Sequence, residues 1–395
     1  MPSIIETTEL AEDQQGQQWI RLPDILASWP WQRAINPHYE ECKAVSDAWL
    51  QSFNVFTPKA QAAVNRCLLA SLGFPTLSKE GNRAGCDLMN LFFVFDEKSD
   101  ISSAEETKFQ DDSIWQGILT ASSYLTDNDE TSTKPEWIGA EIAQQFWGRA
   151  ILNGATERCQ HRFKESFRRY LDSVVQQSAD RDTGKIWDIK SYFSLRRETI
   201  GCYPSYALLE FSLDIPEEVS THPTIRRLED LATDMISIGN DLVSYNPEQA
   251  RGDEGHNLLT VVMNQYPELS LQQAIDWIEV YHDGVVKEFL EYQMVASLFP
   301  GERKKVRDQL LQYADGLGQW PRSNDCWSFE VSVFYVLVLP RLLPRGLSCV
   351  DCADSDNYRM GRYFGVGGGL MVRENGGLIA LLPKETEGHA LDFVV

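Results

Sequence analysis

The chain has 395 residues, 43% of them hydrophobic, and a formal net charge of −22. This is enough apolar material for a sizeable core, and the strong negative charge repels a phosphate backbone, so we expect no nucleic-acid partner. An anionic substrate would need local positive charge, which a divalent metal usually supplies.

Helical periodicity dominates the sequence. Apolar residues at helical spacing predict helices over residues 62–72, 86–95, 140–152, 161–177, 225–242, 271–289 and 303–317. Alternating strand-like stretches are scarce before residue 360. We therefore predict an all-α fold, with one domain over residues 16–395 that follows a disordered polar segment at residues 1–15.

Targeting signals and cysteines bear on the compartment. The sequence has no run of eighteen apolar residues and no basic-then-apolar start, so we expect no membrane span and a cytoplasmic protein. The eight cysteines are scattered through mostly apolar segments, which predicts reduced core thiols. Cys349 and Cys352 form the one C-x-x-C pair, which is a poor zinc site without a second pair.

The first stretch that carries chemistry is an apolar run that ends in acids. Phe92 and Phe93 precede Asp96 and Asp100, and a helix places the two carboxylates one turn apart on the same face. Such pairs are also common on solvated helices, which is the alternative interpretation. A helix buried enough to carry this apolar run rarely ends in acids without a partner, so we expect one here.

A second stretch combines two arginines with helix-breaking residues. Arg196 and Arg197 are followed by Gly201 and Pro204, which would break or kink a helix. A guanidinium offers a planar fork of donors that suits a phosphate group, and a kink exposes backbone carbonyls to a cavity. The alternative is an ordinary helix end with surface arginines.

A third stretch offers oxygen ligands. Asn240, Ser244 and Glu248 are spaced by four residues and therefore share one helical face. Their amide, hydroxyl and carboxylate oxygens are hard ligands suited to Mg²⁺. The alternative is the polar C-terminal face of a helix that ends near Pro247.

The C-terminal region differs from the rest of the chain. Its glycine run lacks the strand-then-helix frame of a nucleotide-binding loop, so we interpret it as a linker. Residues 370–372 and 378–382 flank Asn375 and Gly376, a dipeptide typical of tight turns, and predict a hairpin.

These three signals, in this order, resemble the class I terpene synthases, specifically the fungal sesquiterpene synthases of mushrooms, over most of the chain. The first acidic pair resembles the aspartate-rich motif of that family, and the third stretch resembles its N-D-x-x-S-x-x-x-E motif. The resemblance implies a single helical domain with a central cavity and a site that binds three Mg²⁺ ions. The implied metal ligands are Asp96, Asp100, Asn240, Ser244 and Glu248.

The resemblance also implies roles in diphosphate binding and cation stabilisation. Arg196 resembles the diphosphate-sensing arginine, with Thr199 and Ile200 at the helix break that follows it. The aromatic residues implied to stabilise cations are Phe92, Phe93 and Trp327. The resemblance assigns a second diphosphate contact to Arg362 and Tyr363.

Two features depart from the family pattern. Pro247 stands where the family often has a lysine, which puts one phosphate contact in doubt. The family also carries an Arg-Tyr pair within about two helical turns of a C-terminal tryptophan, whereas Arg362 and Tyr363 lie far beyond Trp327. We therefore predict that residues 331–359 are an insert, as from a retained intron or an isoform.

The resemblance implies a lyase that ionises farnesyl diphosphate and closes the cation between C1 and C11, to a product such as delta(6)-protoilludene. It leaves the oligomeric state open between a monomer and a homodimer. Alternatives are a cyclase with another sesquiterpene product, a chain-elongating prenyltransferase and a non-catalytic helical scaffold. A proton-initiated cyclase would use an acidic cluster such as Asp127-Asn-Asp-Glu, which lies in a polar stretch.

Overall fold

The computed structural model describes residues 11–12, 18–124, 135–297, 304–330, 377–382 and 384. Its helices are α1 (Tyr39–Gln51), α2 (Pro58–Val64), α3 (Arg66–Gly73), α4 (Lys79–Ser99), α5 (Ala104–Tyr124), α6 (Ile138–Leu152), α7 (Glu157–Thr183), α8 (Ile189–Thr199), α9 (Cys202–Leu209), α10 (Glu217–Ser220), α11 (Pro223–Arg251), α12 (Leu258–Gln265), α13 (Leu271–Ser297) and α14 (Lys304–Glu330). The predicted all-α fold is confirmed, although a small sheet accompanies the helices.

Most of the predicted helices form, with one interruption. The prediction of a continuous helix over residues 62–72 is wrong, because Asn65 has a left-handed backbone (φ 44°) that separates α2 from α3. A left-handed residue cannot continue a right-handed helix. No described helix is long and apolar enough to cross a membrane.

Two long helices carry the predicted motifs into the centre of the fold. The side chain of Ser78 caps α4, and almost every residue from Gly81 to Phe95 is buried before the acidic end. Helix α11 begins at Pro223 and packs against α13 and α14. Both helices thus present an apolar run first and polar groups at their C-terminal ends.

Helix α11 does not end at Pro247. It continues to Arg251 and terminates at Gly252, whose φ of 80° is typical of a helix C-terminus. The interpretation that its polar face marks a helix end near Pro247 is therefore wrong. Proline within a helix costs about 3 kcal/mol or more, because it removes a hydrogen bond and crowds the preceding turn.

The predicted break after the two arginines is confirmed. Helix α8 ends at Thr199, Gly201 has a φ of 75°, and α9 starts at Cys202 with Pro204 in its first turn. A Cβ on Gly201 would lie 3.1 Å from the Phe92 ring. Glycine is required here both for the backbone conformation and for the close approach.

A three-stranded antiparallel sheet joins the two ends of the described chain. Strand β2 (Gln18–Arg21) pairs with β1 (Ala11–Glu12) on one side and with β3 (Leu378–Ala380) on the other. Ala11 and Glu12 lie within the segment expected to be disordered, and they pair with β2; the expectation for residues 1–15 stays a prediction.

The tail hairpin is corrected in its pairing. Residues 378–380 do form a strand, but its partner is β2, and the register sets Ile379 opposite Ile20. Both residues are buried, and burial of this apolar pair favours the long-range pairing. The other predicted arm, residues 370–372, lies outside the described residues, as do the predicted insert and Arg362 and Tyr363.

The cysteine prediction is confirmed where the chain is described. Six cysteines there are buried and free: Cys42, Cys67, Cys86, Cys159, Cys202 and Cys326. Cys349 and Cys352 lie outside the described residues.

Candidate active site

A central cavity of about 250 Å³ lies among the helices. Its walls come from α3, α4, α7, α8, α9, α11 and α14. The side chains that line it include Leu69, Met89, Phe92, Phe93, Asp96, Asp100, Tyr170, Arg196, Thr199, Ile200, Asn240, Ser244, Glu248, Trp320, Asn324 and Trp327. All the site residues predicted from sequence that the structure describes therefore meet in one cavity.

Helix α4 contributes an aromatic wall and an acidic rim. The Phe92 ring meets the edge of Tyr170 at 4.8 Å, and the Phe93 ring meets Trp327 at 5.7 Å, measured between ring centroids. Asp96 follows one turn later and also lines the cavity. Burial and the charges of Asp96 and Asp100 raise the pKa of Tyr170, so its phenol stays neutral.

Asp100 has a different environment from Asp96. Its side chain is about half exposed, and an oxygen of its carboxylate lies 4.0 Å from the guanidinium of Arg181. Arg181 also donates hydrogen bonds to the backbone carbonyls of Ser99 and Ser102, at 2.7 and 2.8 Å. It thereby fixes the C-terminal end of α4, and the acidic end has a cationic neighbour, as expected.

Helix α11 lines the cavity with Asn240, Ser244 and Glu248, the residues predicted as ligands, whereas the neighbouring Asp241 is buried. Asp241 is 2% exposed. It accepts hydrogen bonds from Tyr192 Oη at 2.5 Å, from the backbone N–H of Leu258 at 2.7 Å and from Arg196 at 2.9 Å. Asp241 thus anchors α8 and α12 to α11. Asn240, the residue directly before it, lies on a different side of the helix and lines the cavity.

Arg196 lies against the side of α11 that carries Asn240. Its Nη2 donates to Asn240 Oδ1 at 2.8 Å, and its Nε is buried without a hydrogen-bond partner among the described residues. Burial lowers the pKa of the guanidinium, but the negative charges of Asp241 and Glu248 outweigh it and raise the pKa above its ordinary value. Arg196 is therefore a permanent cation with an unused donor, which is what an anionic ligand requires.

The neighbouring arginine has a structural partner instead. Arg197 donates two hydrogen bonds of 2.7 Å to the buried carboxylate of Asp234 and does not line the cavity. The structure thus distinguishes two adjacent arginines that the sequence presents alike.

Glu248 lies on the cavity wall near a second acid, Asp241. Burial, together with the charge of Asp241, raises its pKa to about 7, against hydrogen bonds from Ser244 and Asn257 that lower it. Asn257 Nδ2 donates to Glu248 Oε2 at 2.9 Å. A nearby cation would stabilise the ionised carboxylate.

The donor set fits a hard divalent metal. Within the described residues, no three His, Cys, Asp or Glu side chains gather closely enough to hold a metal ion. A cation in this cavity would therefore use the amide and hydroxyl oxygens of Asn240 and Ser244 with carboxylates from two helices. Oxygen ligands of this kind suit Mg²⁺, which also retains water and substrate oxygens.

Several cavity residues were missed from the sequence, and three of them bear large or polar side chains. Tyr170 on α7 and Trp320 and Asn324 on α14 line the cavity, and Trp320 Nε1 is buried without a hydrogen-bond partner in the described part of the chain. Gly73 leaves room for the Trp320 ring, since a Cβ there would lie 2.8 Å from it. Trp320 is seven residues, about two helical turns, before Trp327, and this spacing was the available signal. The acidic cluster at Asp127 lies outside the described residues.

The chain is similar in sequence to known terpene synthases. The family profile "Terpene synthase family 2, C-terminal metal binding" matches residues 87–288. The chain is 48% identical over 319 residues to a delta(6)-protoilludene synthase of Stereum hirsutum, covering 80% of this chain and 84% of that relative. It is 45% identical over 331 residues to the delta(6)-protoilludene synthase of Armillaria ostoyae, covering 83% and 92%.

Solved structures support the fold. Germacradien-4-ol synthase from Streptomyces citricolor superimposes with a TM-score of 0.63 at 23% identity, covering 75% of this chain and 98% of that chain. The shared architecture is the helical fold that encloses the cavity.

Proposed function

Because this chain belongs to the terpene synthase family, whose members are lyases that bind a divalent metal, we propose that it ionises farnesyl diphosphate with Mg²⁺ and cyclises the cation. The proposed closure joins C1 to C11 and leads to delta(6)-protoilludene, the product for which the fungal relatives are named. The observation that carries the proposal is that one cavity is lined by Asp96, by Arg196 and by three oxygen-bearing side chains of α11, those of Asn240, Ser244 and Glu248.

The metal would be held between two helices. Asp96 and Asp100 from α4 and Asn240, Ser244 and Glu248 from α11 are the proposed ligands, for three ions as the sequence resemblance implies. When bound, Mg²⁺ neutralises the charge that develops on the leaving diphosphate.

Arg196 is proposed to bind the diphosphate. Its buried Nε lacks a hydrogen-bond partner among the described residues. The nearby acids Asp241 and Glu248 raise its pKa and keep the guanidinium charged. Charge-assisted hydrogen bonds to the leaving group strengthen as that group gains charge, so they favour C–O cleavage. We assign a second contact of this kind to Arg362 and Tyr363.

The hydrocarbon would react against the aromatic wall. Phe92, Phe93 and Trp327 present ring faces or edges around the cavity, and each favourable cation–π contact contributes about 0.5–2 kcal/mol. Trp320 joins this set. Walls that exclude water from the bound substrate would protect the cation from quenching, and the shape of the cavity would restrict how the polyene folds before closure.

The proposed insert, residues 331–359, concerns the same site, because it separates Trp327 from Arg362 and Tyr363. The described chain on both sides belongs to one fold: Arg33 pairs with Glu330 at 2.6 Å, and Leu22 N–H donates to Gly377 O at 2.8 Å. Deleting residues 331–359 should preserve or raise turnover. A dead deletion beside a fully active full-length chain would show that the segment belongs to the enzyme.

We also propose a cytoplasmic location, which the six buried free thiols support. The function itself is tested by measuring diphosphate release from farnesyl diphosphate with and without Mg²⁺. Release that requires Mg²⁺ supports the proposal, and its absence under both conditions would favour a non-catalytic scaffold.

A further inference from the structure

Pro247 lies inside α11, between the proposed metal ligands Ser244 and Glu248. A prolyl nitrogen has no hydrogen to donate to the carbonyl of residue 243, and its ring crowds that carbonyl. The helix therefore lacks one of its own hydrogen bonds within the segment that carries these ligands. The last turn nevertheless continues to Arg251, so contacts from outside the helix bear directly on its geometry.

Leu382, two residues beyond β3, supplies such contacts on both sides of the proline. The backbone N–H of Leu382 donates to Asn246 Oδ1 at 2.8 Å, and Gln249 Nε2 donates to the backbone carbonyl of Leu382 at 2.8 Å. Gln249 Nε2 also lies 3.1 Å from the carbonyl oxygen of Asn246. Both side chains are about 5% exposed, so water competes little for these hydrogen bonds.

The strand is itself fixed to the body of the protein. Leu381 N–H donates to Gln18 O at 2.8 Å, and β3 pairs with β2 along its length. Strand β2 is held to α13 by Gln272, which accepts from Arg21 N at 2.8 Å and donates to Arg21 O at 3.2 Å. Leu382 thus reaches α11 from an anchored element.

We propose that β3 and Leu382 clamp the proline-interrupted end of α11, and that Asn246 and Gln249 are positioning residues for Ser244 and Glu248. This inference rests on the proposed role of α11 in metal binding. A site whose competent geometry is populated only part of the time binds its ligand more weakly in proportion to that fraction. The clamp therefore raises metal affinity without contact between Asn246 or Gln249 and the metal.

The test uses the full-length chain and compares matched apolar variants. Asn246→Leu and Gln249→Leu each remove one side of the clamp. Gln61→Leu is the control, because Gln61 is as buried as Gln249 and donates to the backbone carbonyl of Asp47 from a helix that carries no proposed ligand. Each change is also made in a Pro247→Ala background, in which α11 regains its own hydrogen bond.

Two measurements are made on every variant. The first is the Mg²⁺ concentration that gives half-maximal diphosphate release, with kcat at saturating Mg²⁺. The second is hydrogen exchange of backbone amides in the metal-free protein, compared between residues 244–251 and α13. The second measurement does not depend on catalysis.

Asn246→Leu should raise the half-maximal Mg²⁺ concentration about tenfold, the effect of losing about one buried hydrogen bond from the competent state, with a smaller change in kcat. Exchange should quicken in residues 244–251 and not in α13. In the Pro247→Ala background the same change should have a clearly smaller effect, and Gln61→Leu should leave the Mg²⁺ requirement near that of the starting chain.

The proposal would be overturned if Asn246→Leu shifted the Mg²⁺ requirement equally in the starting chain and in the Pro247→Ala background. It would also be overturned if amide exchange in residues 244–251 did not change. An equal shift in Gln61→Leu would overturn it too, because the loss of any buried hydrogen bond would then weaken metal binding. If no chain releases diphosphate, the proposed function fails, while the exchange data still decide whether the clamp exists.

Discussion

Arg196 Nη2 lies 2.8 Å from Asn240 Oδ1 and donates a hydrogen bond to it. The proposed diphosphate sensor on α8 thus contacts the first oxygen ligand of α11 directly. An amide oxygen has two lone pairs and can accept from Arg196 while it faces a cation. This contact connects the two halves of the proposed ionisation site, one that recognises the leaving group and one that holds the metal.

The metal ligands give the first prediction. Asp96→Ala, and the double change Asn240→Ala with Ser244→Ala, should each reduce diphosphate release to background, because the cation loses ligands from one helix. Circular dichroism should show unchanged helix content, since these residues line the cavity. Glu80→Ala, at the exposed start of α4, is the matched control and should retain activity. Turnover that survives in either ligand variant would refute the assignment.

Substitution of Arg196 should impair catalysis, whereas substitution of the adjacent Arg197 should impair stability. Arg196→Lys should lower kcat/KM by about a hundredfold, because a point charge does not reproduce the planar fork. Arg197→Lys should instead lower the free energy of unfolding by about 1–3 kcal/mol, because it disrupts the paired bonds to buried Asp234. Chemical denaturation and steady-state kinetics on both variants check this, and equal kinetic defects would contradict it.

Gly201 should matter for the cavity and not for stability alone. Gly201→Ala places a Cβ 3.1 Å from the Phe92 ring at a φ of 75°. Gly184→Ala meets nothing within 4 Å at a φ of 65° and so incurs the same backbone strain without the contact. Both variants should lose about 1–2 kcal/mol of stability, measured by chemical denaturation. Gly201→Ala alone should lower kcat by about tenfold or more, through displacement of Phe92.

His282 should make the protein sensitive to acid. It is fully buried, both ring nitrogens lack hydrogen-bond partners among the described residues, and burial lowers its pKa from 6.5 to about 4. Below pH 6.5 the imidazole is protonated in the unfolded chain but stays neutral in the folded chain until about pH 4. The free energy of unfolding therefore falls by about 3 kcal/mol as the pH is lowered from 6.5 to 4. His282→Leu should lack this part of the acid loss, which is measured by urea unfolding at pH 7 and pH 4. The variant of exposed His161, His161→Leu, should retain it.

The sequence predicted most of the site because both motifs lie on long helices with regular apolar periodicity. On such helices, residues four apart share a face, so Asn240, Ser244 and Glu248 could be grouped from their spacing alone. Their common cavity with Asp96 followed from the family resemblance. The distinction between Arg196 and Arg197 could not be made, because it depends on Asn240 and Asp234, which lie more than one turn apart on another helix.

Long-range partners were the main source of error. The strand at residues 378–380 was recognised, but its pairing with β2 depends on contacts across almost the whole chain. Tyr170 was missed, because a buried aromatic on a helix carries no local sign of the cavity that it lines. Trp320 was missed although its spacing to Trp327 was a usable signal. The alternative interpretation, a helix end near Pro247, was wrong, and the hydrogen bonds between that turn and Leu382 could not be foreseen from the sequence.

The most direct test of the central claim is gas chromatography–mass spectrometry of the products formed from farnesyl diphosphate with Mg²⁺. We expect a cyclic sesquiterpene hydrocarbon whose mass spectrum and retention time match delta(6)-protoilludene. A cyclic sesquiterpene from a different closure would contradict the proposed product but retain the cyclase. The absence of any cyclic hydrocarbon would contradict the account.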